Sequence, residues 1–310
     1  MVRMRGSAPA RVCGALLACV LMEGAAAGVL STRPLLPAWL QRFAIELEIE
    51  AESVEWAGLH LQDVSVPLSV QGDVLHVRDG QAALAGGRVK LALTHAAGGA
   101  TTLELGATQV ILGELGPLAS QVRGVPVDLS LQLVGHGPSA HAIAASADGH
   151  FTLANHAPGR IERSLERASQ TVFGHLFEAF NPLRARDQET VLECVAADLE
   201  LVDGHLRSEH GLALRTQRMR VVGGGEIDFG AERLALGFRP EARHGVNLNS
   251  LNVVEYVVLE GSFAAPAVRI DNGNLLARAA TLGASVASIG GSAITSALGR
   301  RNSAGTLCAP

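Results

Sequence analysis

The sequence predicts a mainly β protein: a continuous antiparallel meander with one amphipathic helix in mid-chain and one small-residue helix near the C-terminus. Three observations carry this expectation. Segment after segment alternates aliphatic and polar residues with a period of two, the signature of strands whose successive side chains point to opposite faces. Turn signals separate these segments at short, regular intervals, and no helical pattern interrupts them between Phe43 and Leu112. The composition agrees: 35 glycines, 48% hydrophobic residues and only 4% aromatics suit many strands faced by aliphatic side chains.

The N-terminal residues 1–30 read as a leader. Arg3 and Arg5 precede the apolar run Val12 to Met22, Glu23 follows it, and small residues come next. This is the pattern of a signal peptide or weak anchor. The uninterrupted apolar core is too short to span a bilayer. Leu16-Leu17-Ala18-Cys19 is similar to a lipoprotein cleavage box. A leader with no export role fits the same residues.

Residues 43–115 form a first antiparallel block. FAIELEIE sets Ile45, Leu47 and Ile49 against Glu46, Glu48 and Glu50, and LHLQDVSVPLSV, DVLHVRDG, GGRVKLALTH and TTLELGATQV repeat the theme. Turns are read at Gly72-Asp73, Asp79-Gly80, Gly86-Gly87 and Gly98-Gly99. In VPVDLSLQLVG, Leu129, Leu131 and Leu133 share one face with Val127, opposite Asp128, Ser130 and Gln132. Ser139 is placed to cap a short helix over HAIAASA, after which DGHFTLANH returns to strand. An amphipathic helix is expected from about Arg160 to Phe180, with Ile161, Leu165, Ala168, Val172, Leu176 and Ala179 on one face. Asn181-Pro182 would end it.

A second all-strand block runs from about Glu189 to Asp271. Within it RMRVVGGGEIDFG raises the question of a phosphate-cradling loop. That mechanism needs a helix directly after the glycines. Here ERLALGFRP follows, with Leu234, Leu236 and Phe238 alternating against Ala235, Gly237 and Arg239, so the chain continues as strand. The glycines are expected in a softened or bulged strand entering a hairpin. Leu275 to Leu298, rich in Ala, Gly and Ser, reads as a weak helix that docks on the sheet or touches a membrane.

Several function classes are disfavoured. The formal net charge is −5 and basic residues are scattered, so no stripe for nucleic acid exists. Few aromatics mean few stacking platforms for bases or sugars. The eleven histidines and four cysteines show no metal-ligand spacing, so no metal or cofactor is expected. No serine sits in a nucleophile elbow. Glu193, Asp198, Glu200 and Asp203 could pair for acid–base work but read more simply as a solvated strand face. The sequence therefore predicts a binding protein, not an enzyme.

The order of elements over residues 125–310 resembles the C-terminal region of the AsmA family of bacterial envelope proteins. The resemblance rests on Cys194, the Asp203-Gly204 turn, Thr216, Met219, Gly223, Gly225, Ile227, Asp228, Glu232-Arg233-Leu234 and Arg239-Pro240. It is completed by the strand pair containing Gly261 and Pro266 and by the closing Cys308. Residues 43–115 resemble the family's strand repeats loosely, and the N-terminus departs from the family's clear transmembrane helix. The resemblance implies a long, curved antiparallel sheet forming an open groove with an apolar inner face, in a periplasmic protein associated with the inner membrane. Its partner would be phospholipid or another acyl lipid, and its role would be in lipid traffic and outer-membrane assembly. Leu129, Leu131, Leu133, Leu234, Leu236 and Phe238 are the groove candidates. A closed barrel or sandwich that buries the same face internally has the same alternation, and a structural or protein-binding β module of the envelope without lipid transport is the alternative function. The resemblance also places a cysteine at both 194 and 308. An even count in an exported chain favours a disulfide between them, the alternative being two unrelated thiols.

Overall fold

A computed structural model describes residues 2–5, 29–56, 59–115, 122–161, 190–217, 219–242, 256–271 and 308. These residues form one antiparallel sheet of 16 strands. The first half contains β1 (Val2–Arg5), β2 (Ile45–Trp56), β3 (Leu59–Gln71), β4 (Val74–Leu84), β5 (Gly87–Ala96), β6 (Ala100–Ile111), β7 (Val122–Gly124) and β8 (Pro126–His136). The helix α1 (Ala140–Ala145) leads to β9 (Asp148–Asn155) and β10 (Gly159–Ile161). The second half contains β11 (Thr190–Val202), β12 (His205–Thr216), β13 (Met219–Asp228), β14 (Arg233–Ala242), β15 (Tyr256–Ser262) and β16 (Ala265–Asp271). Spatial order follows chain order, with β6 beside β8 and β9 beside β11. The two blocks distinguished in the sequence thus share one uninterrupted sheet.

Four residues of the N-terminal stretch belong to the sheet as well. The edge strand β1 pairs with β2 in a register that sets Arg3 opposite Glu50 and Arg5 opposite Glu48. The apolar run of the leader lies outside the described residues, as does the small-residue helix expected over 275–298. The mid-chain helix expected from Arg160 needs correction at its start. Arg160 and Ile161 are strand, held by β7 on one side and by Thr190 and Val191 of β11 on the other. Residues 162–180 lie outside the described residues.

A second correction concerns Asp79-Gly80, read above as a turn. Both residues lie inside β4, where the register against β5 shifts between Val77 and Gly80 and Asp79 has φ +51°. Aspartate tolerates this left-handed geometry, so one extra residue is absorbed as a bulge and pairing resumes at once. Similar irregularities recur toward one end of the central strands. Gln109 of β6 has φ +57° and Val125, between β7 and β8, has φ +64°. Side chains repair the ladder there. Asp128 accepts from the Gln109 N–H at 2.8 Å and contacts His156 Nε2 at 2.7 Å. These partners hold its carboxyl below the usual range, the Gln109 N–H most strongly. Asn155 donates to the carbonyls of Ala157 and Glu193 and accepts from the Val195 N–H, filling the break between β9 and β10.

The opposite end of the strands is capped. The Ser139 side chain accepts from the Ala142 N–H and starts α1, as its sequence position predicts. Residues 29–44 run across the same end. The N–H groups of Val29 and Leu30 donate to the Glu232 carboxylate, Ser31 O accepts from the His141 N–H, and Leu35 N–H donates to Pro138 O. Leu36 and Leu40 then pack with Ile45, Leu47, Leu68, Val70, Leu75 and Val77 into a fully buried cluster.

The three glycines of β13 sit within the strand, facing Phe238, Gly237 and Leu236 of β14. A Cβ on Gly223 would strike the Phe238 ring. A Cβ on Gly225, at φ +146°, would strike the backbone oxygen of Ala235. Cys194 of β11 and Cys308 are joined by a disulfide with 5.9 Å between Cα atoms. Arg215 reinforces the joint by donating to Cys308 O at 2.6 Å.

Two outcomes follow. Gly225→Ala should lower stability by about 1–3 kcal/mol through backbone strain alone, and more where the clash cannot relax. Gly223→Ala should cost less, because a ring can turn where a carbonyl cannot. Denaturant midpoints of the two variants test that order. Breaking the disulfide with Cys308→Ser releases a loop of 114 residues, worth up to about 4–5 kcal/mol by chain entropy. A variant that unfolds at the wild-type urea concentration would show that the joint adds nothing.

Candidate functional site

Residues directly opposite in an antiparallel ladder share a face, so the registers trace that face across the whole sheet. One row runs Val89, Ala107, Leu129, Leu153, Ala197, Leu212, Gly223, Phe238, Val257. The next contains Leu91, Leu105, Leu131, Phe151 and Leu199, and beyond the irregularity in β11 and β12 the same level holds Gly225, Leu236 and Leu259. A third runs Leu93, Leu103, Leu133, Gly149, Leu201, Leu206, Ile227, Leu234, Gly261. All six residues singled out in the sequence lie on this face. Leu129 shares a row with Phe238, and Leu133 shares one with Leu234, although the two strands involved are far apart in the chain. Glycines alternate with large side chains within the rows, so Gly149, Gly223, Gly225 and Gly261 leave room beside Leu133, Phe238, Leu236 and Leu234.

Burial along this face is uneven. Beneath the end cap, the row Ile45, Val70, Leu75, His95, Thr101, Gly135 is buried throughout. Away from the cap, Leu91, Leu93, Leu103, Leu105, Leu131 and Phe151 are only half-buried, although they stand on central strands. So are Leu129, Leu133, Leu234, Leu236 and Phe238. The reverse face of the same strands carries Glu104, Gln132, His150 and Glu200 as cross-strand neighbours, all exposed. Among the described residues this is a broad aliphatic surface, buried beneath the end cap and at Ala197, Leu199, Leu201, Leu206, Val257 and Leu259, and half-buried at the other leucines named.

His95 is the residue the sequence reading missed. It is one of the eleven histidines without metal-ligand spacing, yet it is fully buried. Its Nδ1 lies 2.8 Å from Thr101 Oγ1, while Nε2 is out of solvent with no hydrogen-bond partner. The one available signal was its place in the alternation of KLALTH, on the side of Leu91 and Leu93. Burial holds its pKa below the ordinary 6.5, because a charged ring loses its hydration there. Among the described residues, no three His, Cys, Asp or Glu side chains gather as a metal ion needs, and no helix is long and apolar enough to cross a membrane.

The folded chain therefore resists a proton on His95 that the unfolded chain accepts. Stability from this group is constant above pH 6.5 and declines as pH falls below it, by at most about 1.4 kcal/mol per pH unit. His95→Gln should remove that slope. Urea midpoints at pH 7.5 and 5.5 measure it as the difference between wild type and variant, and equal slopes would refute the assignment.

No protein-family model matches this chain, and no curated protein or solved structure matches it.

Proposed function

We propose that the chain is a lipid-binding protein of the bacterial envelope that holds the acyl chains of phospholipid, or of another acyl lipid, along its apolar face. The observation that carries the reading is the set of half-buried leucines and phenylalanine on central strands, in three rows and without full cover. Burying each methylene of an acyl chain against such a surface contributes about 0.8 kcal/mol. A face many strands wide offers room for long chains without any polar group to desolvate. The sequence's resemblance to the AsmA family supports placing the protein in the periplasm near the inner membrane, in lipid traffic and outer-membrane assembly. The role is binding or conduction rather than catalysis. A β module that binds only protein would expose the same strands but carry no lipid.

The test is mass spectrometry of lipids that co-purify with the chain from an oxidising compartment. Wild type should carry acyl lipid. Leu129→Asp and Leu236→Asp should each lower the amount at least tenfold, since a carboxylate in the apolar rows is costly beside an acyl chain. Ser130→Asp, on the exposed reverse face, should leave it unchanged, with circular dichroism confirming that all three keep their strands. Lipid-free wild type, or Asp variants that retain their lipid, would end the reading.

A further inference from the structure

The reverse face carries a second feature that does not depend on the lipid reading. Near the disulfide, the register sets Arg215 of β12 directly opposite Arg220 of β13, Arg220 opposite Glu241 of β14, and Val222 opposite Arg239. Directly opposite side chains start about 5 Å apart, and diagonal ones remain within reach of an arginine. Three guanidinium groups therefore crowd one corner of the sheet.

Their partners are unequal. Arg215 pairs with Glu193 at 3.2 Å and donates to Cys308 O. Arg239 pairs with Glu241 at 2.8 Å. Arg220 is left with Nε and Nη2 both out of solvent and without a hydrogen-bond partner. Like charges set opposite each other repel, and a guanidinium removed from water with its N–H groups unused is costly. Among the described residues, Arg215 and Arg239 each meet a carboxylate, whereas Nε and Nη2 of Arg220 meet none. The disulfide brings Cys308 onto this face, where it packs with Cys194, Ala196 and Ala213. That apolar wall lowers the local dielectric and makes the unpartnered Arg220 nitrogens more costly.

We propose that Arg220, flanked by Arg215 and Arg239, forms an oxyanion-binding site whose ligand is a phosphate group. A planar guanidinium offering two parallel N–H donors matches the spacing of two oxygens on one phosphorus. The phosphate is either free in solution or part of a lipid headgroup, and both present the same oxygens.

The full-length, disulfide-bonded chain is titrated calorimetrically with inorganic phosphate and with a soluble short-chain phosphatidylglycerol, at constant ionic strength in chloride. Phosphate binding alone identifies a free anion, lipid binding alone identifies a headgroup, and binding of both identifies the shared phosphate chemistry. In each case Arg220→Gln should weaken binding at least tenfold, the order expected for lost charge-assisted hydrogen bonds. Arg220→Lys, which keeps the charge but not the fork, should fall between the two. Absence of binding to both probes, or binding unchanged in Arg220→Gln, overturns the site. A second measurement guards against a folding defect. In phosphate-free buffer Arg220→Met should melt no lower than wild type, because it removes an uncompensated charge. A clearly lower melting temperature would mean that Arg220 turns to a carboxylate of its own chain, such as Glu241, and would equally overturn the proposal.

Discussion

The whole structure depends on one register being kept from strand to strand. A pleated strand shows alternate residues to each side, so a slip of one residue would move every leucine of that strand to the polar face. Across the rows that join Leu93 to Leu234 and Leu129 to Phe238 no such slip occurs. Most junctions are tight hairpins, which fix register locally. Where the chain carries an extra residue, a bulge absorbs it. The Gln109 bulge is tied down by Asp128, and the break before Gly159 is spanned by Asn155. These polar side chains hold the apolar face together from the other side of the sheet or from its irregular end.

Glycine acts within the same constraint. Gly225 is required because its backbone lies where a Cβ would meet Ala235 O, and Gly223 because the Phe238 ring occupies its place. The run that looks like a phosphate loop is thus a set of spaces that large neighbours on β14 fill. Added side chains there would thicken the face or push the strands apart, and either change would be felt along the rows.

Strand placement was legible because alternation is a local property, visible in FAIELEIE or LSLQLV without knowing the partners. The common face of Leu129 and Phe238 was legible for the same reason. What was not legible depends on contacts distant in sequence. Asp79-Gly80 has turn chemistry, and only the continued pairing with β5 makes it a bulge. Ile161 fits a helical pattern, but β7 and β11 claim it as strand. His95 looks like any polar residue near a turn, yet it is buried directly opposite Leu75, a member of the cluster that Leu36 and Leu40 join from another part of the chain. Arg220 gave no signal, since its meaning lies in which carboxylates its neighbours on β12 and β14 already hold.

The two faces ask for different chemistry, and the sheet itself keeps the answers apart. Several leucines of the apolar rows are only half-buried, and each Å² of further burial there would contribute about 25 cal/mol. An acyl chain supplies that burial without charge. Arg220 leaves Nε and Nη2 without an acceptor, and no acyl chain can provide one. An amphiphile contains both groups, yet Val221 and Arg220 are neighbours on one strand and point to opposite sides. A single lipid lying on the leucine rows at mid-strand cannot also place its phosphate on Arg220 through the backbone ladder between them. The proposed acyl surface and the proposed oxyanion site must therefore fill independently. Arg220→Gln should leave lipid on the leucine rows untouched, and Leu129→Asp should leave phosphate binding untouched, so each reading can fail without the other.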